Sequence, residues 1–298
     1  MSLQRKALWY AVAFTASWAM VEAIAGSVLA RYSPFQVVWV RYGVHLLVLI
    51  VLFGWWGAGP LMRTRRPGYQ IARSLLMLIM PASWIAGRHL GMPMSGFMPV
   101  FWLSPLLIMV FACLVLGERP SAKLWLAGAL ASAGAMFQFG GRLPLFSWQL
   151  VFPLAMSASF SLYIVMTRSL RDESVRVNLL YTALGVFVAL TPVMPHVWQA
   201  PGALDFGVMT VVGILGLACL YFLDRMASAA EVSLTAPVIA GQVLLTTAVS
   251  VLQKHGLPGR LAMTGAFAVA VSALMIWLFT THAAAGNFKP ARDLQGST

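Results

Sequence analysis

Ten apolar runs, each close to the length of a bilayer-spanning helix, follow one another with only short polar breaks between them. They are Leu8–Leu29, Phe35–Trp56, Ile71–Gly87, Phe97–Leu116, Leu124–Phe139, Leu150–Thr167, Val177–Met194, Phe206–Leu223, Val232–Leu252 and Leu261–Thr281. A membrane helix needs about 20 mostly apolar residues at about 1.5 Å rise per residue; the third and fifth runs are the shortest. Of the 298 residues 60% are apolar and 9% are charged, against about 25% charged in an ordinary soluble domain. Such a chain cannot cover a water-facing surface, so a soluble globular protein is excluded. The first run is too long for a cleavable leader and nine more follow it, so it is expected to persist as a helix. The expected fold is an all-α integral membrane protein of ten transmembrane helices.

The charges orient this map. With the N-terminus in the cytoplasm, fourteen basic residues fall inside: Arg5, Lys6, Arg63, Arg65, Arg66, Arg73, Arg119, Lys123, Arg168, Arg171, Arg176, Arg225, Lys289 and Arg292. Only Arg31, Arg88, Arg142, Lys254 and Arg260 fall outside, and Arg41 lies within the second run. The positive-inside bias therefore predicts an even number of spans in a bacterial-type inner membrane, with both ends cytoplasmic. The net charge of +12 is thus a topology and lipid-surface signal, and nucleic-acid binding is not expected. Cys113 and Cys219 both lie in apolar runs, so neither a disulfide framework nor a metal site is expected, and no motif calls for a cofactor. A Gly/Pro-rich stretch, Gly87 to Pro105, enters the fourth run; it reads as a cavity wall or as an ordinary turn followed by one kinked helix.

The two halves resemble each other. Ala16-Ser17-Trp18-Ala19-Met20 parallels Ala158-Ser159-Phe160-Ser161-Leu162, and Leu124-Trp125-Leu126-Ala127-Gly128-Ala129 parallels Leu261-Ala262-Met263-Thr264-Gly265-Ala266, at offsets of 142 and 137 residues. Each half then holds five helices, and an odd number inverts the second copy in the bilayer. Residues 1–142 are expected to form the first repeat, 143–282 the second, and 283–298 a loose cytoplasmic tail. Inverted repeats are a transporter feature, because two symmetry-related halves can exchange conformations about a midplane site.

Several motifs resemble the EamA group of the drug/metabolite transporter superfamily. Pro34-x6-Arg41 is similar to its Pro…Arg motif, Pro105-x11-Gly117-Glu118 with Ser121 and Gly128 to its fourth-to-fifth helix signature, and Ala158-x4-Tyr163-x4-Arg168 to the start of its second repeat. The chain departs from the pattern at Ala19, where a Trp-Gly pair is common, and at Gln242 and His255, where proline and glutamate would stand. The resemblance implies ten helices in two repeats and transport of small organic metabolites without ATP, often export of amino acids or related amphipaths.

The candidate substrate-binding residues are Glu22, Trp18, Arg41, His45, Trp84, Trp102 and Tyr163. Glu22 is the one carboxylate deep in a run; it either meets a substrate's cationic end or a proton, or pairs with Arg41 or His45. Arg41 and His45 share a helix face; Arg41 suits a substrate carboxylate and His45 a proton relay, with snorkelling and packing as the plainer alternatives. Trp18 lies four residues before Glu22, an indole and a carboxylate suited to an ammonium group. Trp18, Trp102 and Tyr163 are expected to stack on the substrate's apolar part, with Trp84 beside the kinked region and Met77, Met80, Met92, Met94 and Met98 as a soft wall. Trp9, Tyr10, Trp39, Trp55, Trp56, Trp198 and Trp277 read as interfacial belt, and Arg88 and His89 as interfacial anchors. Glu118 reads as a cap or gate partner, and Asp224, Arg225 and Glu231 as solvated. Alanine stripes at 127/131/135 and 262/266/270 allow close helix approach, as scaffold or dimer face; monomer and homodimer both fit.

The expected function is a secondary transporter of amphipathic metabolites, most simply amino acids, by alternating access and in the export direction, with protons as a possible coupling ion. An importer or facilitator of quaternary amines is the alternative. An intramembrane enzyme is disfavoured, since the histidines at 45, 89, 196, 255 and 282 are scattered and no nucleophile–base motif or phosphate loop is present.

Overall fold

The computed structural model describes residues 2–54, 62–92, 94–139, 147–252 and 258–286. Trp55, Trp56, Arg142, Lys254, His255, Lys289, Arg292 and the tail from residue 287 lie outside the described residues. The described chain is built from helices α1 (Leu3–Leu29), α2 (Pro34–Phe53), α3 (Pro67–His89), α4 (Met94–Phe101), α5 (Ser104–Phe111), α6 (Ala122–Gln138), α7 (Val151–Ser169), α8 (Val175–Leu190), α9 (Ala203–Ala229), α10 (Val232–Ile239), α11 (Gln242–Leu252) and α12 (Arg260–Gly286). Local chemistry sets the starts: the Ser2 hydroxyl accepts from Arg5 N at α1, and Pro34 and Pro67, whose missing N–H groups need no partner there, begin α2 and α3.

Nine helical segments among the described residues are long and apolar enough to cross a membrane. The fifth expected run forms α6, a helix of 17 residues. Two spans are broken. The fourth is interrupted at Trp102 and Leu103, between α4 and α5, beside Pro99 and Pro105; the ninth is interrupted at Ala240 and Gly241, between α10 and α11, after Pro237. Proline removes a helical hydrogen bond at each place, and such breaks persist at membrane depth only against protein or a cavity. α5 runs on through a π-turn, Ala112–Leu116, that ends on Gly117 at φ +69°, where a side chain would be strained.

The packing is pairwise. α1 lies along α9 and α3 along α7; α2 packs on α9 and α3 on α8; α2 also meets α8. The broken pair α4/α5 lies on α7, and α10/α11 lies on α1. α6 runs along α12, and α5 touches α10. At the α6–α12 seam Gly134 and Gly265 bring two backbones together, so a methyl group on either would strike the other helix, and Ser272 Oγ donates to Ala127 O at 2.7 Å. Ala127, Ala131 and Ala135 are fully buried in this seam, as their spacing predicts. On α12 the seam uses Gly265, Val269 and Ser272, while Ala270 is exposed. The 262/266/270 stripe is therefore not the contact face.

Candidate functional site

Five helices drawn from both halves surround a cavity of about 550 Å³. Helical spacing aims each stripe inward: Phe14, Trp18 and Val21 on α1, Val38, Arg41 and Tyr42 on α2, Met77, Met80, Pro81, Trp84 and Arg88 on α3, Met156, Phe160 and Tyr163 on α7, Cys219, Leu220 and Leu223 on α9. The cavity reaches the surface where α1 ends and α2 begins, at the exposed Leu29, Ala30 and Arg88.

Trp18 is the hub of the aromatic wall. Its ring centroid lies 5.1 Å from Phe160, 5.5 Å from Phe14 and 6.0 Å from Phe101 and Trp102. Trp84 packs edge-on against Phe97 at 5.1 Å. Of the expected residues, Trp18, Arg41, Trp84 and Tyr163 share the cavity. Trp102 is fully buried behind Trp18 and stiffens it without lining the space. His45 is fully buried too, edge-on to Tyr42 at 4.8 Å, with neither ring nitrogen hydrogen-bonded. Glu22 accepts a hydrogen bond from Gln242 Nε2 on α11 and is not among the lining side chains.

Arg41 is the charged group within the cavity, and Arg88 stands at its mouth. The Arg41 Cζ lies 5.8 Å from the Tyr42 ring centroid, its Nε is buried without a hydrogen-bond partner, and among the described residues no carboxylate lies within ion-pairing distance. Gly216 on α9 makes room for it, since a Cβ there would overlap the guanidinium.

A polar cluster lies behind Tyr163, toward the end where α3 and α8 begin and α7 and α9 finish. Arg73, 1% exposed, donates to Thr167 Oγ1 (3.0 Å), Gln70 Oε1 (2.9 Å), Asn178 O (2.7 Å) and Thr182 Oγ1 (3.0 Å). Gln70 Nε2 donates to Asn178 Oδ1, and Asn178 Nδ2 donates to Asp224 Oδ2 at 2.9 Å. Asp224 is 2% exposed, which corrects its reading as a solvated loop residue; Arg73, read as a cytoplasmic-side charge, is likewise buried between helices. Glu231 is exposed as expected. The cluster was legible only as polar residues at helical spacing, Gln70/Arg73 and Asn178/Thr182, inside otherwise apolar helices.

At the same end a second, polar cleft of about 440 Å³ lies among Arg66, Glu118, Arg168, Arg171, Asp172 and Glu231. Glu118 accepts from Val232 N (3.1 Å), Ser233 N (3.0 Å) and Ser233 Oγ, capping α10 from the other half of the chain. Arg168 donates to Ala227 O and Ser228 O at the end of α9. On the cavity-mouth side Asp205 accepts from Arg31 (2.7 Å) and from the Tyr32 hydroxyl (2.7 Å), which holds the Tyr32 hydroxyl above the ordinary tyrosine range.

Apolar helices of bilayer length around a cavity define a multi-pass membrane protein, and the known proteins it is similar to are transporters. Residues 5–140 match the model of the EamA-like transporter family. S-adenosylmethionine uptake transporters of Rickettsia conorii and Rickettsia prowazekii are each 22% identical to the chain; the matches cover 86% of this chain and 89% of the first, and 83% of this chain and 83% of the second. A riboflavin transporter of Rhizobium johnstonii is 26% identical over 59% of both chains. One crystal structure superposes with a TM-score of 0.77 at 19% identity, covering 93% of this chain and 98% of that one, which shows the shared fold.

Proposed function

We propose that the protein is a secondary transporter of ten spans, in two inverted five-helix repeats, with both ends cytoplasmic in a bacterial inner membrane. It moves amphipathic metabolites that combine a flat or apolar body with a carboxylate, as amino acids do, by alternating access. The observation that carries this reading is the cavity itself: helices of both halves wall it, it reaches the surface, and the Arg73–Asp224 cluster lies behind its Tyr163 wall. The ring wall of Trp18, Trp84 and Phe160 suits the substrate's body, and Arg41 suits its carboxylate. The helix pairing supports the repeat. Adding five to each span number turns α1–α9 into α7–α3, α2–α9 into α8–α3, and the α4/α5–α7 pair into α10/α11–α1. α2–α8 and α6–α12 map onto themselves. Net direction follows the substrate gradient, export where the cytoplasm holds the higher concentration; the Rickettsia relatives are named for uptake.

Counterflow in proteoliposomes tests the reading. Vesicles preloaded with one ring-bearing carboxylate or amino acid should transiently concentrate its labelled form from outside. Absence of counterflow with every aromatic and aliphatic amino acid, carboxylate and quaternary amine offered would overturn it.

A further inference from the structure

We infer that the cavity sorts its substrates by charge and takes ring-bearing metabolites as organic anions, with the amino group of an amino acid dispensable. This deepens the carrier reading and rests on it.

The argument is a census of charge. Two guanidiniums, Arg41 and Arg88, stand on the cavity wall, one within it and one at its mouth. A third, Arg73, backs the wall with its Cζ 5.2 Å from the Tyr163 ring centroid. Asp224 meets Arg73 through Asn178, but among the described residues no carboxylate lines the cavity opposite Arg41 and Arg88. Of the eight acidic residues, Asp293 lies outside the described residues and every other has its place elsewhere. Glu22 is held by Gln242, Glu118 caps α10, and Asp205 binds Arg31 and Tyr32. Glu173 accepts from Thr64 and the Arg65 N–H. Asp172 and Glu231 border the other cleft, and Asp224 is sealed against Asn178. Among the described residues, the ion pairs are Arg31–Asp205 and Arg171–Asp172, so neither cavity arginine is neutralised.

An unpaired cation on the wall of an apolar cavity is strongly uncompensated, and an incoming carboxylate supplies the missing charge through the planar fork of Arg41. An ammonium meets the reverse. It finds indole faces at Trp18 and Trp84, but Glu22, which adjoins Trp18, is taken by Gln242 and does not line the cavity. The ammonium also sits in the field of like charges that a low dielectric leaves unscreened. Arg88 at the mouth adds the same sign to the entry path.

Three probes with one ring separate these cases: indole-3-propionate, tryptophan and tryptamine, titrated calorimetrically into the full chain purified in detergent. Indole-3-propionate should bind at least tenfold more tightly than tryptophan, and tryptamine should give no measurable binding. Arg41→Gln should weaken indole-3-propionate at least tenfold, and Arg41→Lys, which keeps the charge without the fork, should retain part of the affinity. Arg41 makes no hydrogen bond or ion pair through its buried Nε, so the glutamine variant should elute and melt like the parent. Tryptophan or tryptamine binding as tightly as the acid, or an unchanged affinity in Arg41→Gln, would overturn the inference and leave the carrier reading standing. Failure of all three to bind, alongside counterflow of a ringless compound, would do the same. Absence of any counterflow removes the carrier reading and this inference together.

Discussion

Arg41 and His45 sit one turn apart on α2, and burial treats them differently. Arg41 keeps an open face on the cavity, whereas His45 is enclosed with both nitrogens unpartnered. A buried polar ring without partners gains little over an apolar ring of similar shape. His45→Phe should therefore retain transport, keep the same pH profile between about pH 6 and 8, and melt no lower than the parent; loss of transport or a shifted profile in vesicles would restore the proton relay that its position in the second run suggests. At this scale the sequence was informative about type and less so about aim. Trp18, Arg41, Trp84 and Tyr163 reach the cavity because i, i+3, i+4 spacing is fixed by the helix. Glu22 does not, because its partner Gln242 lies 220 residues away and no local pattern carries that pairing. Position near a span end also placed Asp224 in solvent, yet it is buried against Asn178, in one cluster with Arg73 and Gln70.

Elements meet through a few polar contacts on a largely apolar scaffold, and Glu118 is the clearest of them. It satisfies two backbone N–H groups that begin α10, which otherwise lack helical partners. Glu118→Ala should lower stability by about 1–2 kcal/mol, as loss of a helix cap does, read as a lower melting temperature of the purified protein; an unchanged melting curve would show the cap to be dispensable. The spans themselves were legible because length and hydropathy decide them, and Gly117-Glu118 marked the turn. The α6–α12 seam was half legible: three alanines on α6 read correctly, but on α12 the rotation of the helix about its own axis selects Gly265, Val269 and Ser272, and rotation is a tertiary property.

For the whole molecule, the pairing of helices under a shift of five spans and a cavity walled by helices of both halves support the proposed account, a carrier whose halves exchange roles. Two short sequence matches hinted at the proposed repeat, and the pairings support it through surfaces that side-chain patterns do not encode. A carrier must reorient to complete each cycle, and a loaded site reorients as part of exchange. The decisive measurement is efflux of labelled indole-3-propionate from proteoliposomes, with and without unlabelled compound outside. The account predicts that outside substrate accelerates efflux several-fold. Efflux that is indifferent to outside substrate, or slowed by it, would contradict alternating access and leave a channel-like path in its place.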